Sequence, residues 1–143
     1  NPAIPVIMVS HILMTAIDPG RPASLSEPVV TGLLRQEMGF DGVVCTDDLT
    51  MAAVSDSYGI GEAAVLAVEA GCDLLLVCHE ADNLTAARDA LLEAVNSGRI
   101  SQERLDESVY RLLSLKLDWE LTNDPVEVPD VDALNEQIQA VMP

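Results

Sequence analysis

The chain of 143 residues is the size of one ordinary domain, and its 49% hydrophobic content supplies a real core and excludes a disordered class. Only 3% of residues are aromatic, so that core is built from Leu, Val, Ile, Ala and Met. The 24 acidic side chains against 7 basic ones leave a net charge of −17, with no basic cluster, which excludes nucleic acid and an anionic membrane surface as partners.

In chain order, residues 4–10 (IPVIMVS) are a continuous apolar run of strand length. Residues 26–39 read as a helix, with Ser26 as N-cap, Pro28 in the first turn and Gly39 just past the end. A second strand run covers 41–46 (DGVVCT), and an Ala-rich helix covers 59–71, closed by Gly71. The third strand run is 72–78 (CDLLLVC). A helix over 81–98 follows, capped by Asp82 or Asn83 and stopped by Gly98. The longest helix, 101–120, carries an apolar stripe of Leu105, Val109, Leu112, Leu113 and Leu117. Residues 122–132 are acidic with two prolines and read as a linker, and 130–142 as a short terminal helix.

Apolar runs without alternation suit strands buried on both faces, and their alternation with helices predicts an α/β fold with a parallel sheet. Three βα units leave two sheet edges open. The chain is therefore expected either to be the last part of a closed (β/α)8 barrel or to complete its sheet with another copy. It opens on Asn1 and runs straight into a strand, as a piece of something longer or a processed chain would. No signal peptide or membrane span is visible, which leaves cytoplasmic and cell-envelope or secreted locations open. The three cysteines, Cys45, Cys72 and Cys78, are an odd set in apolar surroundings and read as structural thiols.

In such folds the loops after the C-terminal strand ends build the active site. Those ends here are Ser10-His11, Thr46-Asp47-Asp48 and Cys78-His79-Glu80. Adjacent like charges repel, so the Asp47-Asp48 pair needs a reason. Asp47, Asp48 and His11 could hold a divalent cation only if all three converged, whereas strand alternation turns adjacent side chains apart, so no metal site is expected. A phosphate-accepting receiver domain would need acids at the end of the first strand and a Lys near the last strand. The first strand ends in Ser10-His11, and the first Lys of the chain is Lys116.

Residues 33–51, LLRQEMGFDGVVCTDDLTM, resemble the signature of glycoside hydrolase family 3, in which an LR-x-E-x-GF-x-G segment runs into Ser/Thr-Asp. PVIMVSHI, DPGRPASLS and AVEAGCDLLLVC resemble the flanking strand, loop and final strand of the family barrel. The similarity is greatest to its β-N-acetylhexosaminidase branch, a bacterial type acting on cell-wall fragments and glycans, and covers roughly residues 4–117. The resemblance implies the last three strands of a TIM-type barrel in residues 1–120, with an acidic tail over 121–143. It implies a retaining hydrolase without a required cofactor that removes terminal β-linked N-acetylglucosamine from a glycan or muropeptide; a phosphorylase variant stays open. Asp47 takes the role of nucleophile, and His11, Asp48 and Met51 those of substrate-pocket residues. The His acid/base loop of the branch has no counterpart in these residues, so the isolated chain is expected to be inactive. Its expected partner is the missing N-terminal barrel portion or another copy of the chain. The competing reading is a non-catalytic fragment that oligomerises as a structural module.

Overall fold

The three apolar runs form three parallel strands: β1 (Val6–Val9), β2 (Val43–Asp48) and β3 (Leu74–Leu76), ordered β1-β2-β3 in one sheet. The computed structural model describes residues 4–125 and 127–141. Val126 of the predicted linker and Met142 of the predicted terminal helix lie outside the described residues. β1 and β2 pair in step from Val6 with Val43 to Val9 with Thr46. β2 and β3 pair at Cys45 with Leu74 and at Asp48 with Leu76, with a register shift between. β2 runs to Asp48, further than the predicted Thr46. β3 stops at Leu76, short of the predicted Cys78, because the Asp48 carboxylate takes the Cys78 N–H out of the ladder.

Helices cover one face of this sheet. The chain's helices are α1 (Ala52–Ser55), α2 (Ile60–Ala70), α3 (Ala81–Asn96), α4 (Gln102–Asp118) and α5 (Val131–Val141), together with a π-helix over Pro28–Glu37, and α5 takes no part in this cover. Val44 packs with Leu25, Val30, Leu49, Val54 and the buried face of α2 in one cluster. A second cluster of Val65, Val68, Ala94 and Ile100 joins α2 to α3. Fully burying such side chains contributes about 1.5–3 kcal/mol each. Gly61 lets these helices touch: a Cβ there would lie 2.8 Å from Ala90 Cβ.

Alternation sets Val6, Met8, Cys45, Asp47 and Leu74 on the other face. No helix of the chain covers that face at its edges, where Met8 is 58% and Leu74 39% exposed. Strands buried on both faces were expected from their composition; within this chain only the central strand is.

Several helix ends differ from the sequence reading. Ser26 does not cap the π-helix with its side chain: its hydroxyl donates to Asp18 Oδ2 at 2.7 Å, and its carbonyl accepts from Val29 and Val30 N–H. Gly39 (φ 70) does end that helix. Glu80, rather than Asp82 or Asn83, holds the N-cap position of α3, with φ 62. Asn83 instead donates its side-chain amide to the His79 carbonyl at 3.1 Å. Ser101 caps α4, accepting from Arg104 N–H at 3.1 Å.

The stripe predicted on α4 exists but, apart from half-buried Leu112, is exposed, from 37% at Leu105 to 78% at Leu117. The helix docks instead through Arg104, Ser108 and Arg111, which converge on the buried carboxylate of Asp73. No described residue of α5 is buried. Among the described residues, no helix is long and apolar enough to cross a membrane.

Candidate active site

The C-terminal ends of the three strands come together, and Asp48 is where they meet. Its carboxylate Oδ1 accepts from Cys78 N–H at 3.0 Å and from Thr50 N–H at 3.1 Å, while Oδ2 accepts from the Thr50 hydroxyl at 2.6 Å. His79 Nε2 lies 3.6 Å from the same Oδ2. Burial alone would raise the Asp48 carboxyl. The Thr50 hydroxyl, the two backbone donors and the nearby imidazole outweigh it and hold the group below the usual 3.8.

His11, at the end of β1, reaches the same point from the other side. Its Nε2 is 2.9 Å from the Asp48 carbonyl and its Nδ1 is 2.6 Å from Ser24 Oγ. A carbonyl can only accept, so Nε2 carries a proton and donates to it, while Nδ1 pairs with the Ser24 hydroxyl. Ser24 is fully buried. Both ring nitrogens are thereby engaged within the chain.

Asp47 is half-buried and lies on the face opposite the helices. Asp48 N–H donates to its Oδ1 at 2.8 Å. Its charge is felt along the same face, where burial and then the Asp47 carboxylate push the Cys45 thiol up. Thr46 is fully buried, and its hydroxyl accepts from Leu76 N–H at 3.1 Å, tying β2 to β3 one residue before Asp47. Met51 sits beyond Thr50, its side chain 45% exposed at the entry of α1, while its backbone N–H donates to the Asp48 carbonyl at 3.0 Å.

The arrangement thus brings Asp47, Asp48 and His11 onto one rim and gives them separate surroundings. Asp47 and Asp48 face opposite sides of the sheet, so the trio does not converge on one cation. Among the described residues, no group of three His, Cys, Asp or Glu side chains is placed to hold a metal ion. A groove of about 460 Å³ beside the Asp48 cluster is lined by Thr50, Ser55, Tyr58, His79 and Asn83. A larger one, about 890 Å³, lies at the opposite end of the strands against Phe40, Tyr110, Arg111 and Trp119. The smaller groove lies at the C-terminal end of the strands, where parallel α/β folds place catalytic groups, but Asp47 does not line it.

The sequence reading passed over Ser24 and Thr50 as hydrogen-bonding partners. Thr50 was accessible from the D-L-T spacing, which suits an Asp side chain bonding backbone two residues on. Ser24 is thirteen residues from His11 and carries no such local pattern.

Residues 2–115 match the glycosyl hydrolase family 3 N-terminal domain. The chain belongs to glycosyl hydrolase family 3. It is 34% identical over 112 residues to a β-hexosaminidase of Nitrosomonas eutropha, covering 76% of this chain and 32% of that protein. To a β-hexosaminidase of Bordetella parapertussis it is 36% identical over 122 residues, covering 85% of this chain and 33% of that one. It superposes on the family 3 β-N-acetylglucosaminidase of Paenibacillus sp. str. FPU-7 with a TM-score of 0.83 and 52% identity, over 88% of this chain and 24% of that one. The chain thus spans about a third of those curated relatives and about a quarter of that solved enzyme. Its parallel sheet with helices is the α/β architecture expected, and its structural neighbours are family 3 TIM-barrel enzymes.

Proposed function

We propose that this chain carries the nucleophile of a retaining β-N-acetylglucosaminidase and forms, through about residue 120, the last three βα units of its barrel. The observation that supports this best is the placement of Asp47. It stands at the C-terminal end of the central strand, on the helix-free face, with one carboxylate oxygen held by the Asp48 N–H. The family 3 segment around it and the 52% identity to a β-N-acetylglucosaminidase support the choice of sugar.

In the proposed reaction a terminal β-linked N-acetylglucosamine of a glycan or muropeptide sits against that face. One oxygen of ionised Asp47 attacks the anomeric carbon as the bond to the aglycone oxygen breaks, and a proton donor outside these residues protonates the leaving oxygen. Water then attacks the same carbon, giving up a proton to that group and releasing Asp47, so two inversions retain the β configuration. Asp47 Oδ1 is anchored by the amide of Asp48, which leaves the other oxygen to attack. No cofactor enters this sequence. Residues 121–143, with α5, are proposed as a tail separate from the barrel units.

The test is Asp47→Gly in the full-length protein that contains this chain, assayed on 4-nitrophenyl N-acetyl-β-D-glucosaminide. Hydrolysis is expected to fall by about 10⁴-fold or more, as for removal of other nucleophiles. Azide, small enough for the space vacated, is expected to attack the anomeric carbon and give the α-glycosyl azide. Retained hydrolysis, or lost hydrolysis with no azide product, would remove Asp47 from this role.

A further inference from the structure

We infer that His11 and Asp48 are positioning residues, forming a brace across the three strand ends that sets the Asp47 carboxylate; this rests on the reading of Asp47 as nucleophile. The peptide N–H of Asp48 is the donor that holds Asp47 Oδ1. Asp48 itself is fixed from three directions. β1 holds its carbonyl through His11 Nε2, and the Met51 N–H of the following turn donates to the same oxygen at 3.0 Å. β3 holds its carboxylate through the Cys78 N–H. The turn into α1 holds the same carboxylate through both donors of Thr50.

These bonds join residues 37 and 30 positions apart, so they fix Asp48 against separate parts of the fold and not merely against its own turn. The Asp48 carbonyl can only accept, which places a proton on Nε2, and fully buried Ser24 engages Nδ1. His11 thus uses both nitrogens to place a backbone segment. Asp48 directs its carboxylate to the side of the sheet away from the proposed sugar. A displacement of about 1 Å in a reacting group costs about 10²-fold in rate, so loosening this brace acts on turnover through Asp47.

The test uses two substitutions of His11 in the full-length protein, because each keeps one of its two bonds. A Gln amide nitrogen falls near Nε2, and an Asn amide near Nδ1. H11Q therefore keeps a donor for the Asp48 carbonyl, whereas H11N keeps only the link to Ser24. Both lose the imidazole equally. With active sites counted by trapping with a slow 5-fluoroglycosyl fluoride, H11N is expected to lose about 10²-fold in kcat with little change in KM. H11Q is expected to recover most of that loss. Equal losses in both variants, or full kcat in both, would overturn the proposal.

A second pair guards against misfolding of H11N. D48N retains an acceptor at Oδ1 for Cys78 and Thr50, and D48L retains none. D48N is expected to hold kcat within about tenfold while D48L loses about 10²-fold, the scale of a misplaced reacting group. D48N falling as far as D48L would overturn the brace. Formation of the α-azide by the Asp47→Gly protein reports on the nucleophile alone, so its failure is separate from failure of either pair.

Discussion

Two carboxylates at opposite ends of the sheet are held ionised by different means. Asp48, at the C-terminal end, is surrounded mainly by hydroxyl and backbone donors. Asp73, at the start of β3, has a fully buried side chain that meets three guanidinium groups. Arg35 pairs with its Oδ2 at 2.5 Å, and Arg111 and Arg104 approach Oδ1 at 3.3 and 3.4 Å, where the Ser108 hydroxyl also donates. Burial would raise this carboxyl, yet the Val44 N–H, Ser108, Arg35 and Arg111 together hold it below 3.8. The folded value lies below the unfolded one. The ion pairs therefore contribute fully above about pH 4, and their contribution is lost as pH falls through the folded value. Asp73→Ala leaves the three arginines facing one another around a vacated site and is expected to cost about 3–5 kcal/mol. Urea unfolding at neutral pH measures the loss, and the variant should show a shallower fall in stability on acidification. A midpoint equal to that of the parent would show that the three arginines find water as good a partner.

At the scale of elements, backbone geometry is specified by a few positions. Gly71 closes α2 with φ 114, and a Cβ there would lie 2.6 Å from Thr31 Oγ1. Gly71→Ala is expected to cost about 1–3 kcal/mol in thermal or chemical unfolding. Gly59→Ala is the control: at φ −65 a Cβ there meets nothing within 4 Å, so its change should be limited to the weaker N-cap of α2, about 0.5 to 1 kcal/mol, and fall below that of Gly71→Ala. Equal midpoints for the two variants would refute the strain argument. The end of α2 at Gly71 was legible in the sequence, as was the parallel βα order, because each rests on local pattern. The π-helical winding of Pro28–Glu37 was not, since its apolar spacing also suits an α-helix. The docking face of α4 was missed for a different reason. Hydrophobic periodicity marks Leu105, Val109 and Leu113, whereas the contact made in this chain is polar and depends on Asp73, which reads locally as a turn residue. The same limit applied at the candidate site. Asp47 stood out from its own segment, but the tie between His11 and the Asp48 carbonyl spans 37 residues and has no local signature.

On the scale of the whole molecule, the three-stranded sheet is finished on one side and open on the other. Helices cover one face, while β1 and β3 each have an edge unpaired within the described residues. Met8 and Leu74 lie exposed on the second face, and the apolar stripe of α4 adds Val109, Leu113 and Leu117. Exposed strand edges beside apolar surface favour association with further strands. The relatives are about three to four times as long as the matched region, so the rest of such a barrel has the strands to supply that cover. Prepared alone, the 143-residue chain is expected to self-associate, or to bind the remainder of its barrel when that is added. It should not hydrolyse an aryl N-acetylglucosaminide, because one carboxylate cannot both attack the sugar and protonate the leaving oxygen in a single step. Sedimentation over a tenfold concentration range, with the assay on the same sample, tests both halves. A monomer at every concentration that binds no hydrophobic dye would show that the open face is satisfied within the chain. Turnover that survives in the wild-type chain and disappears with Asp47→Gly would show that a proton donor lies within these residues after all. His79, 76% exposed on the same rim, would then be the first side chain to substitute.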